Sequence, residues 1–148
     1  ANAYNEWSDD NVAIELDTVR YGSSATGAPW IIARADASGN NFYQVGTNQG
    51  GSLLRIGKTV SGTFTEIANV TRTAPASGTQ EKWRMEVDGS DIRFYINGTL
   101  MLSANDTTFT AAGRIGLRSS NSDGTAFAAY TERKAMRAAP LETAPLAA

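Results

Sequence analysis

The 148-residue chain contains no cysteine and no histidine. The first absence excludes disulfides and thiolate metal sites. The second removes the commonest general base at neutral pH and the commonest metal ligand. Charge is sparse, with 19% charged residues and a formal net charge of −2. That is not the basic footprint of a nucleic-acid binder. No apolar run approaches the length of a membrane span, and no signal-peptide pattern is present. Together these features imply no cofactor, no nucleic acid and no membrane. The chain opens at Ala1; methionine removal, precursor processing or excision from a longer protein would each account for that. At this length one domain is expected, with a core that needs no covalent staples.

What the chain does have is alternation. Trp83, Met85 and Val87 alternate with Arg84, Glu86 and Asp88, and after Gly89-Ser90, Ile92, Phe94 and Ile96 alternate with Arg93, Tyr95 and Asn97. Such a pattern marks half-buried antiparallel strands. A two-residue Gly89-Ser90 loop sets Val87 opposite Ile92, Met85 opposite Phe94 and Trp83 opposite Ile96. The same register sets Glu86 opposite Arg93 and Arg84 opposite Tyr95, an ion pair and a cation–π pair on the other face. For the following turn the expectation is a three-residue loop, Ile96-Asn97-Gly98, with a glycine bulge. It keeps Leu100 with Phe94 and Leu102 with Ile92.

Upstream, Val12, Ile14 and Leu16 alternate with Ala13, Glu15 and Asp17. Further strands are predicted over 30–35, 41–45, 53–58, 64–70, 114–118 and 127–130, separated by Gly-, Asn-, Ser- and Pro-containing turns. Regular short strands of this kind predict an all-β chain, an antiparallel β-sandwich or jelly roll. The domain is placed at 11–130, between an N-terminal arm at 1–10 and an Ala/Pro-rich C-terminal arm at 131–148. Pro140 and Pro145 forbid a continuous helix or central strand there. Such an arm needs contact to be ordered, and Met136, Leu141 and Leu146 are the side chains expected to make it, on the domain, a second copy or another protein.

The run W-R-M-E-V-D-G-S-D-I-R-F-Y-I-N-G-T-L-M-L-S (Trp83 to Ser103), followed by R-I-G-L-R-S (Arg114 to Ser119), resembles laminin-G-like and concanavalin-A-like jelly-roll domains. Ile31–Asp36 and Asn41–Val45 resemble upstream strands of the same family. The resemblance covers about Val12 to Tyr130 and implies the fold. It leaves function open, because such domains include glycan binders, glycosidases, adhesion modules and virion proteins.

The candidate sites follow from these placements. Glu15 and Asp17 start the acidic strand that glycosidases of this fold resemble one another in, but Thr18, Val19 and Arg20 follow where a second glutamate is needed. A solvated strand face is the preferred reading, and no catalytic residue is assigned. Asp88 and Asp91 face each other across the Gly89-Ser90 turn, a weak calcium candidate that Asx-type hydrogen bonds explain more cheaply. Arg84, Arg93 and Tyr95, with Glu86, form a polar patch for which an ordinary exposed sheet face is the preferred reading; in a glycan binder Tyr95 would stack a sugar, with Arg34, Arg114 and Arg118 extending the patch. Trp83 reads as core, and Trp7 and Trp30 lie near loops. Three sequons, at Asn69, Asn97 and Asn105, carry little weight without a secretory signal.

The leading expectation is a non-enzymatic assembly protein, a virion component such as a phage capsid decoration or tail protein. It would dock on capsid or tail proteins, and on copies of itself, through its arms. The alternative is an extracellular carbohydrate-binding module of a secreted enzyme or adhesin.

Overall fold

The computed structural model describes residues 2–5, 10–20, 29–119 and 136–139. The described strands are β1 (Asn2–Asn5), β2 (Val12–Arg20), β3 (Pro29–Ala35), β4 (Phe42–Thr47), β5 (Leu53–Val60), β6 (Thr63–Thr71), β7 (Gln80–Asp88), β8 (Asp91–Ile96), β9 (Thr99–Asn105), β10 (Arg114–Ser119) and β11 (Met136–Ala139). They form two antiparallel sheets, ordered β1-β10-β3-β4-β5-β6 and β11-β2-β7-β8-β9. The stretch predicted over 127–130 lies outside the described residues.

The two terminal segments expected to be arms each contribute a strand. Asn2–Asn5 pairs with β10 and Met136–Ala139 pairs with β2, so each closes one edge of a sheet. Their four-residue lengths suit edge positions, where only one side needs a hydrogen-bonded neighbour.

Between the sheets lies one apolar layer. Trp83, Met85, Val87, Ile92 and Phe94 from one sheet meet Ile31, Tyr43, Val45, Leu54 and Ile56 from the other, all fully buried. Each such aliphatic or phenyl side chain contributes ~1.5–3 kcal/mol relative to exposure. The Trp83 and Phe94 rings meet edge to face at 5.0 Å. The Trp83 indole N–H donates to Glu81 (3.1 Å), so the largest core residue carries no orphaned donor.

The β7–β8 register is the expected one at every position from Trp83↔Ile96 to Asp88↔Asp91. Gly89 takes the positive φ (60°) that a two-residue loop starting in glycine needs. The β8–β9 turn departs from expectation. Ile96 pairs directly with Thr99, so the loop is the two residues Asn97-Gly98. Both adopt positive φ (52° and 81°), the conformation whose twist matches the flanking strands. The extra residue is absorbed inside the strand: Tyr95 pairs with Leu100 and Phe94 with Leu102, leaving Met101 unpaired. Leu100 therefore points outward, 48% exposed, instead of joining Phe94. A second irregularity, in β6, leaves Ile67 unpaired between Glu66 and Ala68. Ile67 and Met101 are both partly buried against the core, filling the side where the two outer strands approach.

Candidate functional site

The predicted patch is assembled on the outer face of the five-stranded sheet, but around a residue buried more deeply than expected. Glu86 is 0% exposed. It accepts hydrogen bonds from Arg84 Nε (2.8 Å), Arg93 Nε (3.0 Å) and the Tyr95 hydroxyl (3.2 Å). Arg84 also reaches Glu15 (2.6 Å), whose other oxygen takes Lys82 (3.0 Å). Arg84 stands opposite Tyr95 as the register requires, with its guanidinium drawn between two carboxylates. Burial pushes the Tyr95 phenol above its ordinary pKa, and the Glu86 charge adds to that. For Arg93 burial works against the cation, and the Glu86 carboxylate outweighs it, leaving the pKa raised.

The carboxylates Glu15 and Glu86 are bridged by Arg84, and this arrangement binds charge instead of presenting a free acid and base. The pairing of β2 with β7 shifts between Leu16 and Val19, so Asp17 falls in the irregular stretch. Asp88 and Asp91 pair across their turn as expected. Arg93 stands between them (3.4 and 3.8 Å) and the Asn105 amide donates to Asp91 (2.9 Å), which offsets the like charges. Among the described residues no group of three or more acidic or other metal-ligating side chains gathers.

The three arginines named as extensions go elsewhere. Arg34, 5% exposed, donates to the carbonyls of Asp10 (2.8 Å), Gly89 (2.9 Å) and Phe109 (2.7 Å), tying three loops at one end of the sandwich. Arg114 binds the carbonyls of Asp36 and Ala37. Arg118 lies on the opposite sheet, on Gln44 (3.2 Å) and over the Phe42 ring. Of the proposed docking residues, Met136 lies in β11, while Leu141 and Leu146, like Trp7, lie outside the described residues.

A second face was not foreseen. On the outer side of the six-stranded sheet, the register aligns Arg118, Trp30, Gly46, Arg55 and Asn69 in one row across β10, β3, β4, β5 and β6. The Trp30 ring lies on Gly46 and the Phe64 ring on Gly57; a Cβ at either glycine would sit 2.6 and 2.3 Å from ring carbons. The two rings meet edge to face at 5.6 Å. Trp30 is 5% exposed, so its ring supports its neighbour, whereas Phe64 is 37% exposed. Its indole N–H is buried with no hydrogen-bond partner among the described residues. Around Phe64, Arg55 Nε approaches Glu66 (3.3 Å) off the N–H axis, an ion pair without a hydrogen bond. Asn69 donates to the other Glu66 oxygen (2.7 Å). A partly exposed aromatic ring packed on a sheet, with a guanidinium, a carboxylate and an amide beside it, offers apolar surface and several directional polar groups. The signal in the sequence was the two mid-strand glycines, which mark close approach to a strand.

No family profile and no curated protein matches the chain. Among solved structures it is similar to a carbohydrate binding module from Bacillus subtilis, at 22% identity over 78% of this chain and 68% of that one, with a TM-score of 0.64. It is similar to sheep galectin-11 in complex with glycerol, at 8% identity over 94% and 96% of the two chains, TM-score 0.64. It is also similar to Bacillus licheniformis beta-glucanase, at 11% identity over 89% and 71%, TM-score 0.62. Identities this low speak to architecture. On that evidence the chain has the concanavalin-A-like jelly-roll fold that lectins and glucanases share.

Proposed function

We propose that the chain is a non-catalytic, extracellular carbohydrate-binding module, and that its site is the exposed part of the six-stranded sheet around Phe64. The observation that carries this reading is the Phe64 ring, packed over Gly57 and edge to face against Trp30, partly open to solvent and bordered by Arg55, Glu66 and Asn69. The apolar face of a pyranose stacks on such a ring, and its hydroxyls take the donors and acceptors alongside. The structural likeness to a carbohydrate binding module and to galectins favours this over a capsid or tail component docking through its termini.

Calorimetric titration with lactose, cellotetraose, laminaritetraose and mannotetraose tests it. At least one should bind, and Phe64→Ala should weaken that binding about tenfold or more, the loss expected of a central aromatic contact. Undiminished binding by the folded Phe64→Ala protein would remove Phe64 from the site.

A further inference from the structure

We infer that the outward face of β8 and β9 is a second binding site, for a neutral saccharide, formed by Arg93, Tyr95, Leu100 and Ser103. This rests on the reading of the chain as a carbohydrate-binding module, and adds that the module is bivalent, with one site on each sheet.

Three observations converge there. The first is space. An open depression of about 400 Å³ lies against Asp91, Arg93, Leu100, Ser103, Ala104 and Asn105, a size within the range of small-ligand clefts.

The second is composition. The Asn97-Gly98 turn and the irregularity at Met101 place Leu100 opposite Tyr95 and Ser103 opposite Arg93 on the outward face. An exposed aliphatic wall thus stands beside a half-buried phenol, with a guanidinium and a hydroxyl next along the strands. This pairs one apolar surface with directional donors and acceptors.

The third is rigidity. Glu86, wholly buried behind the face, holds both Arg93 Nε and the Tyr95 hydroxyl. Both are therefore set before any ligand arrives, which removes part of the ordering cost of binding. Asp91 borders the depression, and Asp88 shares Arg93 with it. Their charge opposes an anionic sugar, which selects a neutral one.

The two sites lie on opposite sheets, so one copy of the chain can engage two glycan strands at once. The gain would be avidity on a dense glycan surface, not affinity for a single soluble one.

The test is an amide-resolved NMR titration of the full chain with the same four oligosaccharides, on the wild type, Ser103→Gln and Leu100→Ala. Ser103→Gln fills the depression, Leu100→Ala removes its apolar wall, and both positions are exposed or partly so on an outer strand. The expected result is two groups of shifted amides with separate saturation, one around Arg55, Phe64 and Glu66 and one around Arg93, Tyr95 and Ser103. The two variants should abolish or weaken the second group and leave the first unchanged. Shifts confined to the first group overturn the second site while sustaining the proposed function. Shifts confined to the second sustain the site on β8 and β9 but overturn the Phe64 site and, with it, bivalency. Silence with all four sugars overturns both.

Discussion

Replacing Arg34 by alanine should be among the costliest single changes in the sandwich, although Arg34 touches no part of either candidate site. Its guanidinium holds the carbonyls of Asp10, Gly89 and Phe109 at 2.7–2.9 Å, with the Asn11 side chain at 3.4 Å. Burial draws its pKa below the ordinary value, yet no arginine loses its proton under such conditions. Hydrogen bonds to a charged group contribute about 1.5–3 kcal/mol each, and an abandoned buried carbonyl costs about 1–3 kcal/mol. The three carbonyls lie in loops, where water can reach part of the vacated space, so a net loss of about 3–5 kcal/mol is expected, not the gross sum. The backbone supplies an internal control. Arg34 sits at φ 52°, a left-handed conformation that costs an L-residue about 1–2 kcal/mol. Alanine keeps that strain and glycine relieves it, at an entropic cost of about 0.5–1 kcal/mol. Arg34→Gly should therefore be no less stable than Arg34→Ala, and up to about 1 kcal/mol more stable. Urea unfolding at neutral pH, with unchanged m-values, measures both. A loss below about 1 kcal/mol for Arg34→Ala would show that the three loops hold together without the guanidinium.

Four further outcomes can be checked in the same way. Asp106 is buried enough to favour protonation, but hydrogen bonds from Thr108, Tyr43 and Lys58 outweigh this and hold its pKa well below the usual carboxylate range. A depressed folded pKa gives stability that is complete above pH ~4 and lost as pH falls, so Asp106→Asn should cost about 1–3 kcal/mol at pH 7 and much less in acid. Urea midpoints of the two proteins should thus differ at pH 7 and converge in acid. Glu86→Gln should cost about 3–5 kcal/mol in the same assay, because it leaves two arginines facing a neutral amide. Gly57→Ala should cost about 1–3 kcal/mol by pushing the Phe64 ring off the sheet, and should weaken glycan binding in calorimetry. Adding Phe64→Ala to it should restore stability relative to Gly57→Ala alone. Asn97→Ala should cost about 1–2 kcal/mol and Asn97→Gly less, because alanine tolerates φ 52° poorly and both lose the bond from the Lys82 amide; thermal unfolding ranks them.

The β7–β8 hairpin was legible to the residue because strict alternation and a glycine-led loop leave one register. The β8–β9 hairpin was misread because binary pattern alone cannot say where an extra residue is absorbed. Keeping Leu100 inside seemed favourable, but the left-handed Asn97 makes a tighter turn and the strand takes up the difference at Met101. The polar patch was placed on the right strands, yet Glu86 looked like a surface residue until Arg84, Arg93, Tyr95 and Glu15 were seen to close around it. The Phe64 face was hidden for a different reason. Its residues come from five strands, and only the sheet order β10-β3-β4-β5-β6 brings Arg118, Trp30, Gly46, Arg55 and Asn69 into line. The separation of the C-terminal arm from the body rested on its proline content, which says nothing about Met136–Ala139 pairing with β2.

The unpaired Ile67 and Met101 have a bearing on how many copies can crowd together. Each sits in the outermost strand of its sheet, and each twists that strand and turns an oily residue back into its own molecule. Neither β6 nor β9 carries a lysine or proline to repel a neighbouring chain, so the kink itself is what spoils them as templates for stacking strand upon strand. Copies of the chain at high local concentration can thereby stay separate and not fuse into fibrils.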